Sequence, residues 1–194
     1  MAFELIALGA SWGGMRAVAL VLEALPADFE LPVVVTQHRP PSGDEMLERV
    51  LAKSSKLEVV PAHDKEPLRP GTVYVAPPDY HLIVEPGHLG LSTDDYVQFA
   101  RPSIDVLFES AADAYGPRTV GVLLTGVNRD GAAGMARIHA VGGYTIAENP
   151  DTAERPEMPA AAVARGAAHR VLDLDRIGPF LAGLDPARAR GEAR

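Results

Sequence analysis

Three polar residues that could together perform acyl transfer each follow an apolar run in this chain. Ser11 follows the N-terminal apolar run, His38 follows VVVTQ, and Asp130 follows VGVLLT. A serine hydroxyl is a poor nucleophile until a base removes its proton, and histidine can do so near neutral pH. A carboxylate can hold the imidazole in the required tautomer and stabilise the imidazolium. The residue types therefore suggest a Ser-His-Asp triad.

The segment GASWG at residues 9–13 matches G-x-S-x-G, a strand-to-helix turn that exposes a serine. The helix after such a turn directs free N–H groups at a developing oxyanion, and the backbone N–H of Trp12 is the natural first donor. The pattern alone is weak, because glycine and serine are common after strands. Ser11 and Asp130 could each be helix caps, and His38 an ordinary strand-end histidine. Spacing alone leaves the triad and these structural roles equally open.

Other chemistries are disfavoured by specific residues. Ser11 occupies the second glycine of a dinucleotide fingerprint, and Gln37-His38 stands where that fingerprint needs an acid. The sequence contains no Walker phosphate-binding loop, no cysteine and no histidine spacing typical of catalytic zinc. We therefore expect neither a cofactor nor a metal.

Composition favours one compact domain. The 194 residues are 47% hydrophobic with a net charge of −8, which predicts a single domain over residues 1–184 and a frayed tail over 185–194. The acidic balance argues against a nucleic-acid partner. No signal peptide or membrane-spanning run is visible, so we expect a cytoplasmic protein without membrane insertion.

Apolar runs alternate with helical patterns along most of the chain. This alternation predicts a doubly wound α/β fold of the Rossmann-like three-layer type, with a mostly parallel sheet. The predicted strands are Phe3–Leu8, Val33–Gln37, Leu57–Val60, Val120–Thr125, Tyr144–Glu148 and His169–Leu172. The predicted helices are Gly13–Leu25, Asp44–Lys53, 101–116, Gly131–Val141, a short helix opened by Pro159, and Leu174–Leu184.

The middle of the chain is rich in proline and glycine and is broken into short runs. Thr72–Ala76, His81–Glu85 and Leu89–Ser92 are predicted to form a small antiparallel β element.

Since parallel sheets bind ligands at the carboxyl ends of their strands, Ser11 and His38 are expected at the functional edge.

Several motifs in order resemble the catalytic domain of bacterial chemotaxis protein-glutamate methylesterases over residues 4–182. The matching stretches are LGASWGG, VVVTQHRPP, LRPGTVYVAPPDYHL, RPSIDVLFESAA, VGVLLTGVNRDGAAGM and MPAAAVARG. The resemblance implies that Ser11 is the nucleophile, His38 the general base and Asp130 the orienting acid. It also implies oxyanion donors in the backbone at Trp12 and Val127.

Proteins of this family hydrolyse γ-glutamyl methyl esters on the cytoplasmic helices of chemoreceptors and can deamidate particular receptor glutamines. The resemblance therefore implies methylated receptor helices as partners. Members usually carry a receiver domain, and we expect this chain to lack one, leaving it constitutive or controlled by a separate response regulator or other regulatory protein. The residue after the nucleophile is usually small or Thr in this family and is Trp12 here. The family's TGMGxDGA stretch reads TGVNRDGA, with changes at Val127, Asn128 and Arg129.

Four residues are candidates for lining the cleft, each with a structural alternative: Arg101, Asn128, Arg129 and His81. Arg101 could instead form a salt bridge at a helix start, Arg129 could be solvated, and His81 could be a strand-edge residue. Two other functions stay open beside the methylesterase. One is a receptor-binding module that has lost catalysis through Trp12 and the altered loop, and the other is a small-molecule carboxylesterase.

Overall fold

The computed structural model describes residues 2–42 and 46–184. The strands are β1 (Leu5–Ala10), β2 (Val33–Gln37), β3 (Glu58–Pro61), β4 (Thr72–Val75), β5 (His81–Glu85), β6 (His88–Ser92), β7 (Thr119–Leu123), β8 (Tyr144–Glu148) and β9 (Arg170–Leu172). The helices are α1 (Gly14–Glu23), α2 (Met46–Ser54), α3 (Ile104–Tyr115), α4 (Ala132–Ala140), α5 (Glu157–Ala164) and α6 (Leu174–Gly183).

Seven strands form one sheet in the order β3-β4-β2-β1-β7-β8-β9, and all neighbouring pairs are parallel. Side chains of β1 alternate between two cores. Ile6 and Leu8 pack in a cluster with α1, α2 and α6, whereas Leu5 and Ala7 pack in a cluster with α3, α4 and α5. The central strand is buried on both faces, so the predicted doubly wound, three-layer α/β class is confirmed.

The structure corrects the prediction for the middle of the chain. Thr72–Ala76 was expected in an antiparallel element, but β4 lies in the parallel sheet between β2 and β3. Only β5 and β6 form the antiparallel pair. All four residues of β4 are buried, so this strand has no exposed face, as is typical of a strand inside a parallel sheet. Its proline- and glycine-rich flanks resemble turns.

Two boundary differences lie close to the site. The first strand begins at Leu5 and continues to Ala10, so Ser11 comes directly after it. The fifth helix begins at Glu157, before the predicted Pro159. Of the predicted helix from Asp44, its first two residues lie outside the described residues, as does the predicted tail over 185–194. No helix within residues 2–42 and 46–184 has the length and apolar character needed to cross a bilayer.

Candidate active site

Ser11, His38 and Asp130 converge above the carboxyl ends of three adjacent strands, β2, β1 and β7. The Ser11 hydroxyl donates to Nδ1 of His38, with the two atoms 3.1 Å apart. Nε2 of His38 donates to Oδ2 of Asp130 at 2.7 Å. The backbone N–H of His38 also donates to the carbonyl of Ala10, which extends the pairing of β1 and β2 to the site.

The nucleophile turn depends on two glycines. Gly13 ends the turn with φ 77°, a left-handed conformation that glycine adopts without steric cost. Gly126 faces the turn from the loop after β7, where an added Cβ would collide with the side chains of Met158 and Ser11. The loop backbone therefore packs directly against the candidate nucleophile.

Gln37 joins the serine turn to the histidine. Its side-chain amide donates to the carbonyl of Ser11 at 2.7 Å and to the carbonyl of His38 at 3.0 Å. No role in the site was predicted for Gln37. The sequence feature that could have indicated a role is a polar residue at the end of a buried strand. In the structure, the Gln37 side chain ties the backbone at Ser11 to the backbone at His38.

The imidazole of His38 presents Nδ1 to the serine and Nε2 to the carboxylate. This is the reverse of the serine-protease template, where Nε2 faces the serine. The hydrogen-bond network assigns the proton to Nε2, because the Asp130 carboxylate can only accept. Nδ1 then has a free lone pair toward the Ser11 hydroxyl, so the ring can act as a base in this orientation.

The carboxylate of Asp130 is fully buried and accepts four hydrogen bonds. Besides His38, its donors are the hydroxyl of Ser103 at 2.8 Å and the backbone N–H groups of Ile104 at 2.7 Å and Asp105 at 3.0 Å. Burial raises the pKa of Asp130, but the bond and charge of His38 and the backbone donors outweigh it. The net pKa lies below its usual range, so this carboxyl stays ionised.

A second carboxyl, Asp105, lies beside the first. It is buried in the first turn of α3, and its Oδ1 accepts from the backbone N–H of Gly134 at 2.8 Å. Burial raises the pKa of Asp105 to about 6, and the charge of Asp130 adds to that rise. Asp105 therefore titrates in a range where its neighbour is already charged.

Thr125 connects the nucleophile turn to two other segments. Its carbonyl accepts from the backbone N–H of Ser11 at 2.9 Å, and its hydroxyl donates to the carbonyl of Trp12 at 3.0 Å. The same hydroxyl accepts from the backbone N–H of Arg155 at 2.9 Å. Glu148, buried at the end of β8, accepts from the backbone N–H of Thr125 at 2.8 Å. Burial raises the pKa of Glu148, against the effect of that hydrogen bond.

The backbone at Trp12 and Val127 was predicted to supply oxyanion donors. Within the described part of the chain, neither N–H donates to a protein acceptor, so both are available to donate to an oxyanion. The indole of Trp12 is 59% exposed, and the Arg155 guanidinium lies over it at 5.5 Å. The ring is thus directed to the loop that carries Arg155 and lines neither of the two cavities described below.

Two neighbouring cavities lie near this site, and one of them is lined by His38. One of about 440 Å³ is lined by His38, Arg101 and Asn128, among others. The other, of about 730 Å³, is lined by Val127, Asn128 and Arg129 together with residues of α5. Arg101 also pairs with Asp79 at 2.7 Å.

His81 lies away from the cleft surface, at the start of β5, with only 1% of its area exposed. Its Nδ1 accepts from the backbone N–H of Ser103, and its Nε2 donates to the carbonyl of Asp95. It therefore supports Ser103, which in turn donates to Asp130. Residues 2–42 and 46–184 contain no cluster of three or more His, Asp or Glu side chains that could hold a metal ion.

Comparison with known proteins places this geometry in a family. A family model described as CheB methylesterase matches residues 6–181. A relative from Leptospira interrogans is 40% identical over 186 residues, which are 95% of this chain and 96% of that protein. Another, from Anaeromyxobacter dehalogenans, is 45% identical over 174 residues, 90% of this chain but 51% of that longer protein. It is named protein-glutamate methylesterase/protein-glutamine glutaminase 2.

A solved structure agrees with these sequence matches. The crystal structure of the Thermotoga maritima CheB methylesterase catalytic domain superposes with a TM-score of 0.89 at 34% identity, covering 95% of this chain and 100% of that one. Fold, sequence and strand-end residues all lead to the same conclusion: the chain belongs to the CheB methylesterase family.

Proposed function

We propose that the protein is a serine hydrolase that removes methyl esters from glutamyl side chains of chemoreceptors in the cytoplasm. The observation that carries this proposal is the chain of hydrogen bonds from Ser11 through His38 to Asp130 in a member of this family. Because both hydrogen bonds are present, they favour a catalytic enzyme over a binding module that has lost catalysis.

In the proposed reaction, Nδ1 of His38 takes the Ser11 proton as Oγ attacks the ester carbonyl. The backbone N–H groups of Trp12 and Val127 stabilise the oxyanion of the tetrahedral intermediate. The intermediate collapses, the C–O bond breaks, and His38 returns the proton to the departing methoxide, which leaves as methanol. Water then attacks the acyl-enzyme with His38 again as base, releasing glutamate and regenerating Ser11.

Asp130 stays ionised throughout this cycle and stabilises the imidazolium that forms twice. The same residues can deamidate a receptor glutamine, because an amide carbonyl forms an equivalent intermediate from which ammonia departs. The name of the Anaeromyxobacter relative pairs these two activities.

The test compares wild type and Ser11→Ala on a methyl-labelled chemoreceptor fragment, with methanol release as the readout. Loss of a serine nucleophile is expected to lower kcat on the order of 10⁶-fold, by analogy with other serine hydrolases. Equal release from both proteins would contradict the mechanism. Labelling of Ser11 by a fluorophosphonate separates a hydrolase from a binding module, and activity on short esters without activity on receptor would indicate a small-molecule carboxylesterase.

A further inference from the structure

Phe99 is the most exposed of the large apolar residues in the described part of the chain, with 98% of its area accessible. It stands at the tip of a two-residue turn between Val97 and Ala100, which exchange backbone hydrogen bonds of 3.2 and 2.9 Å. Such exposure contributes nothing to the core, so folding does not account for a phenylalanine here.

The backbone of this turn is also unfavourable for the residues it carries. Gln98 and Phe99 both have positive φ, at 49° and 62°. Tight turns with two positive φ values strongly prefer glycine, asparagine or aspartate. A bulky residue held in the left-handed region is uncommon, and such strain clusters at sites of function. The side chain of Phe99 is therefore displayed at a cost to the turn.

Arg101, which directly follows the turn, anchors the segment that leads into it. Its guanidinium donates to the carbonyls of Thr93 at 2.8 Å and Asp94 at 3.0 Å, and it pairs with Asp79 at 2.7 Å. It also lies 4.6 Å from the centre of the Tyr96 ring, which belongs to the same segment. A side chain on a fixed turn loses little freedom when it binds a partner.

The position of Phe99 ties it to the candidate active site. It lines both cavities, as do Gln98 and Asn128, and so lies where the cavity that reaches His38 adjoins the one along α5. The cavity along α5 has a floor of Ala160, Ala161 and Ala164, whose small side chains permit close approach of another backbone.

The charge around that cavity is complementary to an acidic partner. Arg129 and Arg165 line it against a single acid, Glu157, so its lining is cationic on a chain whose net charge is −8. A helix that presents a glutamyl ester beside free glutamates meets both features, with its carboxylates near the arginines and an apolar residue near Phe99. On a helix, residues three or four positions apart share a face.

We propose that Phe99 is a docking residue for the substrate helix, which packs an apolar side chain three or four positions from the methylated glutamate against it. The proposal rests on the proposed function and deepens it by naming a second feature of the substrate, an apolar side chain near the ester, that the protein recognises. Phe99 acts as an anchor for the protein substrate, and small esters, which do not extend past His38, make no use of it.

The decisive variant is Phe99→Asn, because asparagine suits a left-handed backbone and keeps the turn folded. The assays are demethylation of a methylated chemoreceptor fragment and hydrolysis of p-nitrophenyl acetate, with kcat/KM measured for each. Loss of an interface aromatic commonly costs about 10- to 100-fold in binding. We expect the ratio of receptor to small-ester kcat/KM to fall by about that factor, mainly through KM, while Tm holds or rises.

Val171→Ala is the matched control, because Val171 is an exposed apolar residue on β9 that lines neither cavity. Its ratio should equal that of wild type. An unchanged ratio in Phe99→Asn, or an equal loss on both substrates, would overturn the docking role. Failure of the proposed function is distinguishable, because wild type would then demethylate no receptor at all.

Discussion

Asp130 caps the start of α3, the helix that carries Asp105, and Asp105 in turn caps the start of α4, the helix that follows Asp130. Asp130 precedes α4 and accepts from the backbone N–H groups of Ile104 and Asp105 at the start of α3. Asp105 lies in the first turn of α3 and accepts from Gly134 in α4. The two helix N-termini are thereby tied together by two carboxyl groups, one of which contacts His38.

Asp105→Asn is expected to change the pH dependence of stability. Because the folded state raises the pKa of Asp105 to about 6, its contribution to stability is fully present below its ordinary pKa and is lost as pH rises through 6. The variant does not titrate, so its free energy of unfolding relative to wild type should increase between pH 4 and 7, by up to about 3 kcal/mol. Urea unfolding at pH 4.5, 6 and 8 measures this difference.

Asp113→Asn provides the control, since Asp113 is an exposed carboxylate on the same helix. Its difference from wild type should vary little over this range. A flat difference for Asp105→Asn as well would mean that Asp105 does not bind its proton more tightly in the folded state.

Asp130→Asn is expected to lower kcat by about 10⁴-fold, the loss seen when the triad aspartate of a serine protease becomes asparagine. An amide that donates toward Nε2 of His38 forces the proton onto Nδ1, which then cannot accept from Ser11. Single-turnover demethylation, with folding checked by circular dichroism, measures the effect. Ser103→Ala removes one donor to the carboxylate but keeps the His38 contact, so it should cost far less. A kcat within tenfold of wild type in Asp130→Asn would refute this role.

Thr125→Val tests the connection between the nucleophile turn and the loop at Arg155. The change leaves the Trp12 carbonyl and the Arg155 N–H without the hydroxyl they use, which should lower the free energy of unfolding by about 1–3 kcal/mol. We expect kcat to fall too, because the same hydroxyl fixes the residue after Ser11. Denaturation and ester hydrolysis report the two effects.

Thr36→Val is a matched control on β2. Its hydroxyl is buried and makes no hydrogen bond within the described part of the chain. Removing an unsatisfied polar atom should leave stability unchanged or increase it. If both variants lost the same stability, the hydrogen bonds of Thr125 would not account for its effect.

The sequence predicts the architecture well where periodicity is strong. The strands Val33–Gln37 and Tyr144–Glu148 have the predicted bounds, because each is a β-branched or apolar run limited by turn residues. The run Thr72–Ala76 was assigned to the wrong sheet because strand pairing depends on distant partners, which local composition does not specify. A short buried strand of the parallel sheet, such as β4, and a strand of the antiparallel pair β5–β6 have similar local sequences.

The site is less predictable than the fold. Ser11, His38 and Asp130 could be selected because parallel strands deliver their ends to one edge. The roles of Gln37 and Thr125 were not predicted, since they depend on which carbonyl each polar side chain reaches after the strands pair. Phe99 is equally ordinary in the sequence, and only its exposure and its backbone conformation distinguish it.

The order of strands at the centre of the sheet brings together site residues from distant parts of the chain. Ser11 and His38 follow consecutive strands, whereas the carboxylate of Asp130 lies in the loop after β7, 92 residues after His38. Long-range pairing of this kind closes a large loop and forms slowly. A chain in which only β1 and β2 had paired would hold the serine beside the histidine without the acid, so full activity requires that β7 has also joined the sheet.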